Sequence, residues 1–402
     1  MNAVFAARDR RNVWLLAIAQ ALFMSSGIIG IAFGGLVGYM LAENKIWATL
    51  PLAMTVVGGT VAAVPASFLM KRYGRRAGFL MGAGAGVLSG IAGVYALYVG
   101  SLELFCLGHF FQGIYRAFAQ YYRFAVTDVS PPTMHSRAIS YVLAGGVAAA
   151  IVGPLIAIWS QDLLAPVSFA GAYAALGALS LIGLAPIWLV DIPRPSIQEQ
   201  SGPTRPLLEI LRQPACIAAI LSGTVGFVSM TMVMTATPLS MVDCGFSVDT
   251  ATLVIQGHML AMFVPSFFTG GLIARFGVYR IVWAGLALFA LSIGAAITGI
   301  ALANFSAALI LIGIAWSFTY VGGSALLTRT YTPAERAKVQ GMNEFLIMAG
   351  SVIGSLAAGG LLSVFGWNAV NLSTVPMLIV TLVASLWSVW DDRRKTAAPQ
   401  PS

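Results

Sequence analysis

Charge is what this chain has least of. Only 9% of its 402 residues are Asp, Glu, Lys or Arg, against roughly a quarter in an ordinary globular domain. Most of the chain therefore cannot face water. Apolar runs of about twenty residues recur from end to end, the length that crosses the hydrocarbon core as a helix, and that length excludes a soluble helical protein with a large core. Cysteine is also scarce: Cys106, Cys216 and Cys244 make neither a disulfide framework nor a metal site. The first two fall in spans and read as packing residues. No phosphate loop, metal-ligand spacing or nucleophile constellation occurs. The glycines at 78, 82, 86 and 90 follow no strand and so form no dinucleotide site. The chain is read as no enzyme: it has no catalytic residues, no metal and no cofactor.

What is present is apolar length. Twelve spans are expected, at 13–37, 46–70, 77–99, 102–126, 138–160, 168–190, 214–238, 249–273, 279–301, 304–328, 334–363 and 368–390. The first is too long for a signal-peptide core and has no small-residue cleavage site after it, so it is read as retained. A net charge of +8 could suggest nucleic acid, but its placement argues for a bilayer. With the N-terminus in the cytoplasm, every Lys and Arg except Lys45, Arg116 and Arg123 falls on the cytoplasmic side. The external loops carry Glu43, Glu103, Asp162, Asp243 and Asp249. This is the positive-inside asymmetry, and it puts both termini in the cytoplasm. No nucleic-acid role is expected.

One short sentence is written twice. Leu69-Met70-Lys71-Arg72-Tyr73-Gly74 recurs 203 residues on, half the chain, as Leu272-Ile273-Ala274-Arg275-Phe276-Gly277. Each copy is a basic loop between two apolar runs, as expected of a transporter built from two similar bundles. The expected fold is an all-α membrane protein, twelve transmembrane helices in two pseudo-symmetric six-helix bundles. The N-terminal bundle covers 1–190, a cytoplasmic linker 191–213, the C-terminal bundle 214–390 and a cytoplasmic tail 391–402. Pro193, Pro195, Pro203 and Pro206 bar a continuous helix from the linker, within which 207–212 could form a short amphipathic helix. The tail is polar and read as disordered. Glycines spaced by four, at 30, 34 and 38 and again at 78, 82, 86 and 90, make stripes for close helix approach, either as sliding surfaces or as static packing.

The loop Ser67-Phe68-Leu69-Met70-Lys71-Arg72-Tyr73-Gly74-Arg75-Arg76 is similar to the signature of the major facilitator superfamily, Gly-x-Leu-x-Asp-Arg-x-Gly-Arg-Arg, and stands in the same place between spans two and three. Gly270-Gly271-Leu272 opens the second copy in the same pattern. The chain resembles that family over its whole length. The resemblance implies two bundles that rock about a central site; it says nothing of substrate. In the family the loop's acid latches against the start of the eleventh helix on the cytoplasmic side. Lys71 and Ala274 stand at the acid positions here, and a helix N-terminus repels a lysine. The eleventh helix, however, opens Thr332-Pro333-Ala334-Glu335, a capping box with proline first. Glu335 offers Lys71 a partner, so the latch reads as charge-swapped, with two solvated residues as the alternative. Asp128 matches the family's acid near Arg72. The resemblance makes Lys71, Arg72, Gly74, Asp128, Arg275, Gly277 and Glu335 the expected gating residues.

A second family motif, Arg-x-x-Gln-Gly, stands here as His109-Phe110-Phe111-Gln112-Gly113, with histidine in place of the arginine linked to proton coupling. An antiporter motif in span five fits at Gly145, Gly146, Gly153 and Pro154 but has Ala149 where glycine is expected. At about 100° per residue, His109, Gln112, Arg116, Gln120 and Arg123 fall within about 80° of one another. So narrow a polar stripe faces a cavity or another helix, not lipid. Arg116 lies near the midplane and needs an acid, water or an anionic ligand; a permanent helix-holding pair is the alternative. Glu344 is the one acid well inside a span. It can exchange protons or hold a fixed pair with Arg123 or Arg116. Spans one, four, seven and ten line the cavity in this fold, which adds Gln20, and Trp316 with Tyr320 one turn on as stacking residues. The expected substrate contacts are Arg116, Gln112, Gln20, Trp316 and Tyr320, and the expected coupling residues are Glu344, His109 and Arg123. The chain is read as a monomeric secondary active transporter of a small organic solute in a bacterial inner membrane, coupled to protons. The stretch from Gly108 to Pro154 and the Asn343-Glu344 region resemble bacterial members that import vitamins, riboflavin included, and uncharacterised exporters. A drug or metabolite exporter, and a transport-dead receptor or assembly factor, are the alternatives.

Overall fold

The computed structural model describes residues 7–192 and 203–397. Pro193 and Pro195 of the linker therefore lie outside the described residues, as do the last five positions of the tail. No strand occurs among the described residues. The long helices are α1 (Ala7–Leu41), α2 (Leu50–Tyr73), α3 (Arg75–Val99), α4 (Leu102–Ala119), α5 (His135–Ser160), α6 (Ala170–Leu189), α7 (Pro214–Asp243), α8 (Val248–Phe263), α9 (Val278–Ile297), α10 (Leu302–Leu327), α11 (Arg336–Leu372) and α12 (Val375–Ala397). Among the described residues ten helical stretches are long and apolar enough to cross a membrane, and the tenth, Arg336–Arg394, runs through both α11 and α12. Within that stretch Gly366 leaves helical geometry at φ 77°. The helix α4 is outside the ten because His109, Gln112 and Arg116 lower its mean hydropathy. Dividing the tenth stretch and adding α4 gives twelve spans. The tail differs from the reading: α12 stays helical to Ala397.

Local chemistry explains several of the boundaries. Ser101 caps α4 by accepting from the Leu104 amide at 3.2 Å, and Ser247 caps α8 by accepting from Thr250 at 3.2 Å. Prolines open α2 and α7, where the missing N–H costs nothing. Pro265 interrupts the eighth span, which resumes as Ser266–Phe276. The repeated loop is a single residue in each copy. Gly74 sits at φ 90°, ψ 158° between α2 and α3, and Gly277 at φ 90°, ψ 151° before α9. Each amide closes the preceding helix at 2.9 Å, onto Met70 O and Ile273 O. Only glycine holds that backbone without strain.

The chain divides into two compact units. The first comprises Met1–Pro131, Tyr141–Ser196 and Gln340–Met348, and the second Pro132–Ser140, Ile197–Val339 and Ala349–Ser402. In the first, the side chain of Asn12 pairs with the backbone of Asp191 at 2.9 and 3.0 Å, fixing the exit of α6 to the start of α1. Its core holds Phe33, Phe105, Tyr173 and Leu176 from α1, α4 and α6. The glycines of α3 serve packing: a Cβ at Gly86 would collide with Tyr115 and Ser180, and one at Gly93 with Tyr173. In the second unit, the helix Ser266–Phe276 passes so close to the start of α5 that Ser140 Oγ accepts from the Gly270 amide at 2.7 Å, and Ser136 Oγ donates to the Gly270 carbonyl at 3.1 Å.

Candidate functional site

The polar stripe of α4 does not continue as one regular helix. The helix ends at Ala119; the Gln120 amide still reaches Arg116 O at 3.1 Å, but Tyr121 bonds three residues back, to Phe118 O. The chain resumes as the short helix Tyr122–Ala125. This break frees the carbonyl of Gln120, and Arg123 Nη1 donates to it at 2.7 Å. The other end of the same guanidinium, Nη2, donates to Glu344 Oε1 at 2.5 Å. Asn343 Nδ2 donates to that oxygen too, at 2.8 Å. Arg123 and Glu344 are each only 1% exposed, so the pair is sealed from water. Glu344 Oε2 is buried and has no partner among the described residues. Arg116 is half-buried, and its charge acts on Glu344 as well. Of the two arginines offered by the sequence, the close pair belongs to Arg123.

One turn down α4, Gln112 is buried and donates from Nε2 to Ser26 Oγ of α1 at 3.2 Å. Gln20 is buried on α1 as well. His109 takes a different place. Its Nδ1 meets Thr55 Oγ1 of α2 at 2.9 Å and its Nε2 meets Tyr173 OH of α6 at 3.0 Å. Thr55 turns its own hydroxyl towards Pro51 O, so the consistent assignment is Nδ1–H donating to Thr55 and Tyr173 donating to Nε2. The ring is a neutral, doubly bonded packing group. Gly30 and Gly34 make room for it: a Cβ at Gly34 would lie 2.8 Å from His109 Cε1. In the second unit Trp316 and Tyr320 stack on each other with centroids 4.8 Å apart and planes 19° apart. Phe227 of α7 and Phe263 of α8 abut the stack. Trp316 Nε1 is buried without a hydrogen-bond partner among the described residues.

Asp128 joins the cluster of the repeated loop through Arg75: Arg75 Nε donates to Asp128 at 3.2 Å and Nη2 to Gln340 Oε1 at 2.8 Å. Arg75 is the buried arginine of the loop, whereas Arg72 is exposed and lies over the Tyr73 ring at 5.3 Å. The second copy repeats that surface contact, with Arg275 over Phe276 at 5.2 Å. Within the second unit the Glu335 carboxylate is held by Arg205. The guanidinium grips it as a fork, Nε to Oε1 at 2.8 Å and Nη2 to Oε2 at 2.7 Å, and the Arg205 amide adds a third bond at 2.9 Å. Arg205 also donates to Thr330 O at 3.1 Å, and its own carbonyl accepts from Lys338 Nζ. This fork, with the Thr332 amide, holds the Glu335 carboxyl down at about 2, and raises the Arg205 guanidinium. Lys71 is exposed at the end of α2. The helix α11 begins one turn later than read, at Arg336, yet half of the expected capping box exists, because Glu335 Oε2 accepts from the Thr332 amide at 3.0 Å.

Residues 48–238 and 219–402 match the model of the Major Facilitator Superfamily. The chain belongs to the major facilitator superfamily. It is 41% identical over 382 residues to the riboflavin transporter of Brucella anthropi, covering 94% of this chain and 96% of that protein. Among solved structures it resembles the fucose:proton symporter of E. coli, with a TM-score of 0.74 at 18% identity over 94% of this chain and 98% of that one. It also resembles a proton:xylose symporter, with a TM-score of 0.74 at 15% identity over 96% of each. At such identities the two structures speak for the fold alone. This major facilitator is thus a multi-pass membrane transporter, with twelve helices in two six-helix halves. Sequence reasoning missed three of its polar contacts. Arg75 was in view as the first arginine after Gly74, and burial alone separates it from Arg72. Gln340 is one helical turn from Glu344, a spacing with no motif behind it. Arg205, in a proline-rich linker, carried no signal at all.

Proposed function

We propose that this major facilitator imports riboflavin across a bacterial inner membrane, with proton movement driving accumulation. The observation that carries the proposal is the 41% identity to a riboflavin transporter across nearly the whole of both chains. The proton-linked carboxylate is Glu344, held by Arg123 and with one buried oxygen open. His109 is a weaker coupling residue, because hydroxyls occupy both of its nitrogens. Gln112, Arg116 and Gln20 are the substrate contacts of the first unit, and Trp316 and Tyr320 those of the second. The Gly74 and Gly277 loops, with the basic residues beside them, act at the gates. The export reading loses support at Gly153, whose lack of a side chain is explained by packing: a Cβ there would lie 2.8 Å from Ile28 Cδ1 of α1.

The test is uptake. Expressed in a riboflavin auxotroph that lacks its own importer, the chain should restore growth on low external riboflavin and accumulate labelled riboflavin, and an uncoupler should abolish the accumulation. Membrane-localised protein that gives neither growth nor uptake would overturn the proposal.

A further inference from the structure

The hydrogen bonds around it assign the orientation of the Gln112 amide. Ser26 gives its hydroxyl proton to Phe23 O at 2.7 Å. Its oxygen then has only lone pairs to offer, so Gln112 must turn its NH2 towards it, at 3.2 Å. Gln112 Oε1 is therefore turned away from Ser26. It is buried and accepts no hydrogen bond from the described residues. Few buried polar atoms in a native protein are left so, and inside a membrane span the shortfall costs more than it would beside water. A glutamine kept only to fill space would be better replaced by leucine. On the nitrogen side of the amide the packing is loose: a Cβ built at Gly27 of α1 would meet only Gln112 Nε2, at 3.9 Å. Glu344 Oε2 is a second buried acceptor in the same unit without a donor. Arg123 and Asn343 already supply the other oxygen of that carboxylate.

We infer that Gln112 Oε1 receives a hydrogen-bond donor of the substrate, so that the transporter selects solutes carrying an N–H or O–H at that point. On the riboflavin reading, on which the choice of probe rests, the donor is either the imide N–H of the flavin ring or a hydroxyl of the ribityl chain. The oxygen is covered in this structure, so the donor meets it when the neighbouring side chains part to admit substrate. Gln112 then determines specificity through a lost bond: a solute without the donor leaves the oxygen unpaired and binds more weakly.

The experiment is riboflavin binding to full-length protein in nanodiscs, read by quenching of flavin fluorescence. The probes are riboflavin, N3-methylriboflavin (no imide N–H) and lumiflavin (no ribityl chain). Wild type should bind one of the two analogues about tenfold more weakly than riboflavin, and the identity of that analogue names the donor. Gln112→Leu should bind riboflavin about tenfold more weakly than wild type and lose the discrimination. Gln112→Glu, which keeps an acceptor, should retain riboflavin binding within a few-fold. Without ligand, Gln112→Leu should melt no lower than wild type, because it removes an unpaired atom; if the glutamine merely tied α4 to Ser26, the melting temperature would fall. Riboflavin binding equal in wild type and Gln112→Leu, or discrimination that survives in the variant, overturns the inference and leaves the substrate reading standing. Folded wild type that binds no riboflavin overturns both.

Discussion

Arg123 reaches both Gln120 and Glu344 from one fully buried guanidinium. It satisfies a carbonyl freed by the break in α4 and balances the charge of Glu344. Taking either partner away leaves a buried charge without compensation, which costs about 3–5 kcal/mol. Arg123→Ala is therefore expected to lower the melting temperature of the purified protein sharply, and Arg123→Gln with Glu344→Gln to recover part of the loss. Glu344→Gln alone should abolish accumulation driven by a pH gradient yet keep counterflow exchange, which needs no net proton movement. Accumulation that persists in this variant would assign coupling to another group. Glu344 was legible in the sequence because an acid deep in an apolar run needs either a proton or a fixed partner. Its partner was not. On a helical wheel Arg116 and Arg123 share one stripe, and the turn at Gln120–Tyr121, which no residue pattern announces, re-aims Arg123 onto the carboxylate.

At the scale of elements, the start of α11 is set from a distance. Thr332-Pro333-Ala334-Glu335 reads as a local capping box, yet the glutamate spends most of its hydrogen-bonding capacity on Arg205, 130 residues away in sequence. The consequence is a pH dependence with a definite sign. Glu335 is held at about 2, below the ordinary glutamate value of about 4.3. Its stabilisation is therefore fully present above the unfolded value and is lost as the pH falls through the folded one. Allowing for solvent around the exposed side of Arg205, the pair contributes about 1–2 kcal/mol. The melting temperature of Glu335→Gln should lie below that of wild type by a constant margin above about pH 5, and the margin should shrink as the pH is taken towards about 2.5. A margin unchanged across that range would mean that the fork carries no stability. The loops at Gly74 and Gly277 show the opposite case, in which a local signal sufficed: a six-residue pattern repeated in sequence gives the same backbone torsions within a few degrees.

For the whole molecule, the arrangement of charge makes a prediction about topology. Lys71, Arg72, Arg75, Arg76, Arg275 and Arg280 cluster at the loops that follow α2 and precede α3 and α9. The positive-inside rule predicts that these loops and both termini face the cytoplasm. Fusions of a fluorescent protein and of alkaline phosphatase to each end should give fluorescence and no phosphatase activity at both. Active phosphatase at either terminus would reverse the assignment and, with it, the side on which the Arg205–Glu335 fork and the Arg75–Asp128 pair stand.

The sequence by itself determined the class, the number of spans and the two-fold repeat, because each rests on composition or on a period. Too little charge and too much apolar length leave helices in a bilayer as the answer, and a loop that needs glycine at positive φ is visible as glycine. Tertiary structure decided which polar groups meet. Arg123 rather than Arg116 takes Glu344, Arg75 takes Asp128, Arg205 takes Glu335, and His109 goes to two hydroxyls in the packing of α2, α4 and α6. Long arginine side chains reach across several ångströms, and one tightened turn changes what they reach. A buried charge without a partner is costly, so the pairing is set by the three-dimensional supply of donors and acceptors, which no spacing along the chain records.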